Sequence, residues 1–322
     1  MHKIFISGGA GFVGSHLCEK IKENYKGSKI IILDKLTYAG NLKFIKELIK
    51  DKNVTFIKGD LCNIKLMKKL LKNADIAINV AAESHVDNSF NNSFSFTLTN
   101  TFGSHVFFEN CRVNNVKNII HISTDEVYGQ KLSGKSFETD KLLPTNPYSA
   151  SKAAAEMIAL SYNKSFKSNI TIIRSNNLYG TRQFPEKLIS KSIISFLNKK
   201  KMEIHGYGLQ TRHYLHINDL TDGVLMILKK KIKNQIINFG TNEKFRNKDV
   251  VNKICKHMNL NFKDNVKYIK DRPFNDFSYN VSIKKAIQFG WKPKRKFDEK
   301  ILDIINWYKK NKKLFKKNIV RT

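Results

Sequence analysis

The sequence predicts an α/β fold, a doubly wound parallel sheet followed by a smaller, mixed α/β region, and three observations carry that prediction. Short apolar runs rich in β-branched residues alternate with helical patterns, a glycine cluster closes the first run, and a lone carboxylate, Asp34, closes the second. Runs that are apolar on both faces and separated by helices imply strands covered on both sides.

In chain order the expected strands are Lys3–Ile6, Lys29–Leu33, Val54–Ile57, Asp75–Val80, Asn118–Ser123 and Ile170–Arg174. Helical patterns at Val13–Asn24, Lys65–Lys72, Phe96–Val113 and Tyr148–Phe166 lie between them. Gly8-Gly9-Ala10-Gly11-Phe12-Val13-Gly14 follows the first strand; Gly9, Gly11 and Gly14 fit G-x-G-x-x-G, while Gly8, Gly11 and Gly14 fit G-x-x-G-x-x-G. Such glycines let the backbone turn tightly and approach a pyrophosphate, which the helix start at Phe12 and Val13 binds through free N–H groups and its dipole. Asp34, twenty residues past Gly14, can accept hydrogen bonds from an adenosine ribose and repel a 2′-phosphate, which favours NAD over NADP beside Lys35. Asp60 and Leu61 after the third strand are placed to meet the adenine, and Ala81-Ala82 after the fourth are small enough for backbone to pass the cofactor closely. Residues 1–175 therefore read as a Rossmann-type NAD-binding domain.

Residues 176–322 read as a smaller substrate domain, with the chain returning to the first around 211–242. It holds a helical run at Pro185–Leu197 and a basic helix near Phe297–Leu314, whose charge-rich end, Lys309–Lys317, reads as a solvated face.

The formal net charge of +31 comes mostly from lysines spread along the chain, with eight arginines among 58 basic residues. Nucleic-acid readers cluster their basic residues among stacking aromatics, so no specific nucleic-acid partner is expected. Cys18, Cys62, Cys111 and Cys255 are scattered singly, without a metal-ligand rhythm, and read as free thiols with no metal site. The apolar start is broken by glycines within a few residues, too short for a membrane span or a signal core, and a cytoplasmic enzyme is expected.

Chemistry enters with two blocks. Thr124-Asp125-Glu126 places a hydroxyl, an acid and a possible base at the end of the fifth strand, where an open parallel sheet binds its ligands. Tyr148 and Lys152 stand four apart in a helical run opened by Asn146-Pro147, so they share a face. A nearby ammonium favours the phenolate, which could take a proton from an alcohol as its hydride leaves. A 4-keto sugar has an acidic C5–H; Glu126 could remove it while Asp125, as the acid, protonates a departing C6 hydroxyl.

These blocks resemble the extended short-chain dehydrogenase/reductases, and most closely the nucleotide-sugar 4,6-dehydratases of the dTDP-glucose 4,6-dehydratase type. The resemblance extends to Asp34–Asn41, Ala81–Asp87, Thr124–Gly129, Asn176–Gly180, Phe184–Leu188 and Asp271-Arg272-Pro273. It implies a lyase of deoxysugar biosynthesis with tightly held NAD, which oxidises C4, loses water across C5 and C6, returns the hydride to C6, and works as a homodimer. It also implies that Glu83, Ser84 and His85 line the sugar and nicotinamide, that Asn177, Lys187, Leu188 and His205 meet the substrate, and that Arg212 and Arg272 clamp its diphosphate. Departures gather at the nucleotide end: His205 where a tyrosine is frequent, His213 for an aspartate, Ser278 for an arginine, Thr181 for a proline and Asn88 for an arginine. They leave the base open among dTDP, UDP and GDP, and the hexose between glucose and N-acetylglucosamine. A nucleotide-sugar 4-epimerase shares the glycines and Tyr148/Lys152 but has no need of an acid and base at C5 and C6.

Overall fold

A computed structural model describes residues 1–315. Strands β1 (Lys3–Ser7), β2 (Lys29–Asp34), β3 (Val54–Lys58), β4 (Ile76–Asn79), β5 (Asn118–Thr124) and β6 (Ile170–Ser175) match the expected runs to within a residue or so at each end. After them come β7 (Asn177–Tyr179), β8 (Met202–His205), β9 (Thr211–His216), β10 (Ile236–Phe239), β11 (Lys244–Arg246) and β12 (Val266–Ile269).

Seven strands form one sheet in the order β10-β6-β5-β4-β1-β2-β3, every pair parallel. Alternate side chains go to opposite faces. Ile4 and Ile6 pack with Leu17 and Ile21 of helix Phe12–Asn24, while Phe5 packs on the other face with Met67, Phe107 and Phe108. The chain crosses from one side of β1 to the other between β3 and β4, and the strand ends there form the crevice in which such sheets bind ligands. The seventh strand, β10, reaches the sheet after the chain has left it, pairing Ile236 with Ile172.

Outside that sheet, β7 and β11 flank β9, and β8 pairs with β12. A separate apolar core fills this region, built on Ile193, Ile254, Phe297, Ile301 and Tyr308. The basic C-terminal helix runs Phe297–Asn311 and tightens into a 3₁₀ turn, Lys312–Phe315. Lys309, Lys310 and Lys313 are exposed as expected, but Phe315 folds inward against Phe44 and Tyr308. The last two residues of the Lys309–Lys317 stretch lie outside the described residues.

The run Phe96–Val113 is not one regular helix. It comprises α-helix Ser93–Phe96, a π-helical segment Thr97–Phe102 and α-helix Gly103–Val113. The π segment delivers Asn100 to the backbone after β4: its Oδ1 accepts from Glu83 N (2.8 Å), and its Nδ2 donates to Glu83 O and to Ser151 Oγ (both 2.9 Å). The wider turn thereby lets the buried Asn100 pair both backbone groups of the half-buried Glu83.

Candidate active site

Two adjoining cavities run along the C-terminal ends of the strands. The first is lined by Gly8, Gly11, Phe12, Val13, Gly14, Asp34, Lys35, Asp60, Leu61, Ala81, Ala82 and Glu83, among others. It shares Ser84, Glu186 and Lys187 with the second, which is lined by His85, Thr124, Glu126, Tyr148, Lys152, Asn177, Leu188, Arg212 and Arg272. Of the candidate catalytic and substrate residues, Asp125 and His205 line neither cavity, and nor does Gly9 of the glycine run.

At the first cavity, Gly8 has φ +68°, and a Cβ there would stand 2.7 Å from Ala81 Cα. A Cβ on Gly14 would stand 2.0 Å from Gly8 O. Both positions are therefore closed to any side chain, and the second glycine of the run, Gly9, packs back on Ile32 instead of facing the cavity. The helix Phe12–Asn24 starts at Gly11 with no side-chain cap, so its first N–H groups face the cavity as an anion site. Asp34 is held by Ala10 N (2.9 Å) and Leu36 N (2.8 Å), while burial raises its pKa against those two bonds. Lys35 ion-pairs with Asp60 at 2.7 Å, and that bond raises its pKa. These residues could hold a dinucleotide, with a carboxylate where an adenosine ribose would lie.

At the second cavity β5 ends in Thr124, whose Oγ1 accepts from Glu126 N (3.3 Å) and so caps the 3₁₀ turn Asp125–Tyr128. Glu126 accepts from Asn146 Nδ2 at 3.5 Å. Asn146 also forms a reciprocal capping box with Ser149, which fixes the start of helix Pro147–Phe166 and hence the placement of Tyr148 and Lys152. Asp125 is 2% exposed and sits just behind this wall. Its Oδ2 accepts from Asn176 Nδ2 (2.7 Å) and its Oδ1 from Thr124 Oγ1 (3.4 Å). Burial, offset by the Asn176 bond and reinforced by Glu126, pushes its pKa up to about 7.

The Tyr148 and Lys152 pair departs from the simple expectation that the ammonium lowers the phenol. Lys152 Nζ donates to Ile122 O (2.6 Å) and lies 3.5 Å from His121 Nε2, so its charge is directed at β5. Burial lowers its pKa to about 8. Burial and then the Glu126 charge raise the Tyr148 phenol, and a hydrogen bond with Thr124 works the other way.

Lys187 donates to Ser84 O (2.5 Å), and its ammonium lies 5.8 Å from the centre of the Tyr148 ring. Arg212 is buried over the Tyr279 ring and bonds Thr211 O and Asn275 Oδ1. Arg272 ion-pairs with Asp87, Nη2 to Oδ2 at 3.2 Å. His85 lies 3.6 Å from the same carboxylate, and burial lowers its pKa to about 4. His205 stands off the cavity wall, 3.9 Å from Asp87 and 3.3 Å from Lys270 O. Thr181, in place of a proline, hydrogen-bonds His16 Nε2 at 3.1 Å.

Sequence reasoning passed over Asn100, Asn146, Asn176 and Glu186, all of them within this construction. Single amides carry cap and turn roles so often that only their place at the strand ends marks them out. Glu186 was within reach, since it stands inside the Phe184–Leu188 block.

A family model described as GDP-mannose 4,6 dehydratase matches residues 5–304. Over 314 residues, 96% of the chain, it is 40% identical to a trifunctional UDP-glucose 4,6-dehydratase/UDP-4-keto-6-deoxy-D-glucose 3,5-epimerase/UDP-4-keto-L-rhamnose-reductase of Arabidopsis thaliana, of whose length it spans about half, 47%. It is 39% identical over 316 residues to the dTDP-D-glucose 4,6-dehydratase of Homo sapiens, covering 96% of this chain and 90% of that one. The dTDP-glucose 4,6-dehydratase of Streptomyces venezuelae, solved with NAD bound, superposes with a TM-score of 0.95 at 29% identity, covering 97% and 98% of the two chains. With a family model spanning nearly the whole length and relatives near 40% identity, the chain belongs to the nucleotide-sugar 4,6-dehydratase family of the extended short-chain dehydrogenase/reductases.

Proposed function

We propose that this chain is an NAD-dependent nucleotide-sugar 4,6-dehydratase, a lyase that converts an NDP-hexose to an NDP-4-keto-6-deoxyhexose. The observation that carries the proposal is the pair at the end of β5: the buried acid Asp125, held by Asn176, and beside it Glu126, which lines the same cavity as Thr124, Tyr148 and Lys152. An epimerase has no use for that second pair of groups.

The glycine cradle and the Asp34 carboxylate fit NAD, and Asp60 neutralises the Lys35 cation, which would otherwise invite a 2′-phosphate. Bound there, NAD would supply the acceptor and donor for the hydride that moves from C4 to C6. Tyr148 takes the C4 hydroxyl proton while Thr124 hydrogen-bonds the same oxygen. Glu126 removes the C5 proton, and Asp125 protonates the C6 hydroxyl so that it leaves as water. Arg212 and Arg272 receive the diphosphate, Arg272 exchanging Asp87 for phosphate oxygens. Glu83, Ser84, His85, Asn177, Lys187 and Leu188 surround the sugar, with His205 near the base.

We further propose a homodimer and a cytoplasmic site of action. Phe94, Leu98, Phe102, Met157 and Phe166 are exposed on the stretch from Ser93 and on helix Pro147–Phe166, an apolar surface suited to a second copy. The four cysteines are free thiols, as a reducing compartment keeps them. No described helix is long and apolar enough to cross a membrane.

The test is incubation of the protein with dTDP-, UDP- and GDP-linked glucose and N-acetylglucosamine, followed by mass measurement of each nucleotide sugar. Loss of one water from one substrate is expected. Unchanged mass with inversion at C4 would replace this reading by an epimerase.

A further inference from the structure

The dehydratase reading leaves a proton to be accounted for. Over one turnover the O4–H bond breaks and its proton stays on Tyr148, while the C6–O bond breaks and carries away the Asp125 proton as water. The C5 proton taken by Glu126 returns to C5, and the hydrogen that leaves C4 with its electron pair ends on C6. The product keeps a keto group at C4, so Tyr148 finishes one proton richer and Asp125 one proton poorer.

The geometry supplies the route between them. Thr241 N donates to Asn176 Oδ1 at 3.0 Å, which turns Asn176 Nδ2 towards Asp125, where it donates to Oδ2 at 2.7 Å. An oxygen that accepts a short bond from an amide is a poor place for the acid proton. The proton is left to Oδ1, the oxygen in contact with Thr124 Oγ1 at 3.4 Å, and Thr124 lines the same cavity wall as Tyr148, whose phenolate it favours. Asp125 is 2% exposed and lines neither cavity, so it is reached through its side-chain neighbours and not directly from bulk water.

We propose that Asn176 is a positioning residue that seats the Asp125 proton on Oδ1, and that Thr124 passes the proton from Tyr148 back to Asp125 within each turnover. In the reset step the Tyr148 O–H bond breaks as a new O–H forms on Thr124, whose own hydrogen moves to Asp125 Oδ1. Burial and Glu126 favour the protonated phenol in the bare site, and the positive nicotinamide of bound NAD would work against them. No co-reactant is consumed. The inference rests on the dehydratase reading. Besides Asn176, the groups that face Asp125 are Glu126 on its own turn, Thr124 at the end of β5, Arg212 from β9 and Tyr148 from helix Pro147–Phe166.

Two measurements test it. The first needs no substrate: the carboxylic-acid infrared band of Asp125, assigned by its loss in Asp125→Asn, is titrated in the parent and in Asn176→Ala. The Asn176 bond favours the carboxylate, so its removal should raise the midpoint by about one pH unit or more, the size expected of a lost hydrogen bond to a charged group. Asn176→Ser serves the same purpose if the alanine variant does not fold. An unmoved midpoint overturns the positioning role.

The second compares first and later turnovers by rapid quench. Thr124→Val should form one equivalent of product per site and then slow by about tenfold or more, the lower end of what positioned proton transfer contributes. Thr124→Ser should remove that break. Equal first and later rates in Thr124→Val overturn the relay. If the parent removes water from no nucleotide sugar, the dehydratase reading and the relay fail together, while the infrared midpoint still decides the Asn176–Asp125 contact.

Discussion

Replacing Tyr148 by phenylalanine should leave cofactor retention intact and lower turnover by roughly 10²–10⁴-fold, the range lost with a positioned base. Near-parental turnover would remove it from that role. Asp125 must carry its proton to act, and its pKa stands near 7, so the elimination rate should fall as pH rises through about 7. Asp125→Asn should abolish that limb and, with Glu126→Gln, let reduced cofactor and a 4-keto hexose accumulate within one turnover. Rapid mixing with the identified substrate, following nicotinamide absorbance, makes that comparison, and unimpaired water loss in both amide variants would refute the two assignments. Residue type and spacing made Thr124, Asp125, Glu126, Tyr148 and Lys152 visible in the sequence, because a hydroxyl, an acid and a base close one strand and a tyrosine–lysine pair shares one helix face. The direction in which Lys152 points was not visible: the Ile122 carbonyl that receives it belongs to the neighbouring strand end, and only the packed helix brings the two together.

Among the elements, the π segment Thr97–Phe102 is the one that the apolar pattern concealed. Over six residues the difference between a 3.6-residue and a wider turn hardly displaces a hydrophobic stripe. Its product is Asn100 held against both backbone groups of Glu83. Asn100→Leu should therefore leave two half-buried backbone groups of Glu83 unpaired and destabilise the chain by about 1–3 kcal/mol in all, read as a lowered denaturation midpoint. It should also loosen the loop Ala81–His85 and raise the apparent KM for the sugar nucleotide. A variant with parental stability would show that water or a neighbour replaces the amide. The glycine loop, by contrast, was legible as a loop but in two registers, and only the backbone at Ala81 and Gly8, which excludes a Cβ at Gly8 and Gly14, separates Gly8 from Gly9.

For the whole molecule, the alternation of apolar runs sufficed to foresee the parallel sheet, while the partner of each small strand in the second region did not follow from pattern, because β7, β11 and β12 are only three or four residues long. A dimer should be visible as a light-scattering mass of twice 37.2 kDa. Phe94 is 86% exposed in the single chain. Phe94→Asp together with Leu98→Asp should shift the protein to the monomer mass without altering its fold, and an unchanged mass in that variant would place the interface elsewhere.

The late arrival of β10 has a further consequence, for folding. It covers the outer edge of β6, all six of whose residues are buried, and Asn238 on it accepts from Tyr128 Oη at 2.8 Å. A fragment ending at Ser175 would present to solvent the unpaired edge of a strand that is buried along its whole length, the kind of edge that recruits other chains. The two regions should then melt in a single transition, and the isolated fragment should aggregate during refolding where the whole chain does not. Calorimetry of the intact protein and turbidity of the refolding fragment would show it; two separate melting transitions would mean that the sheet closes without its last strand.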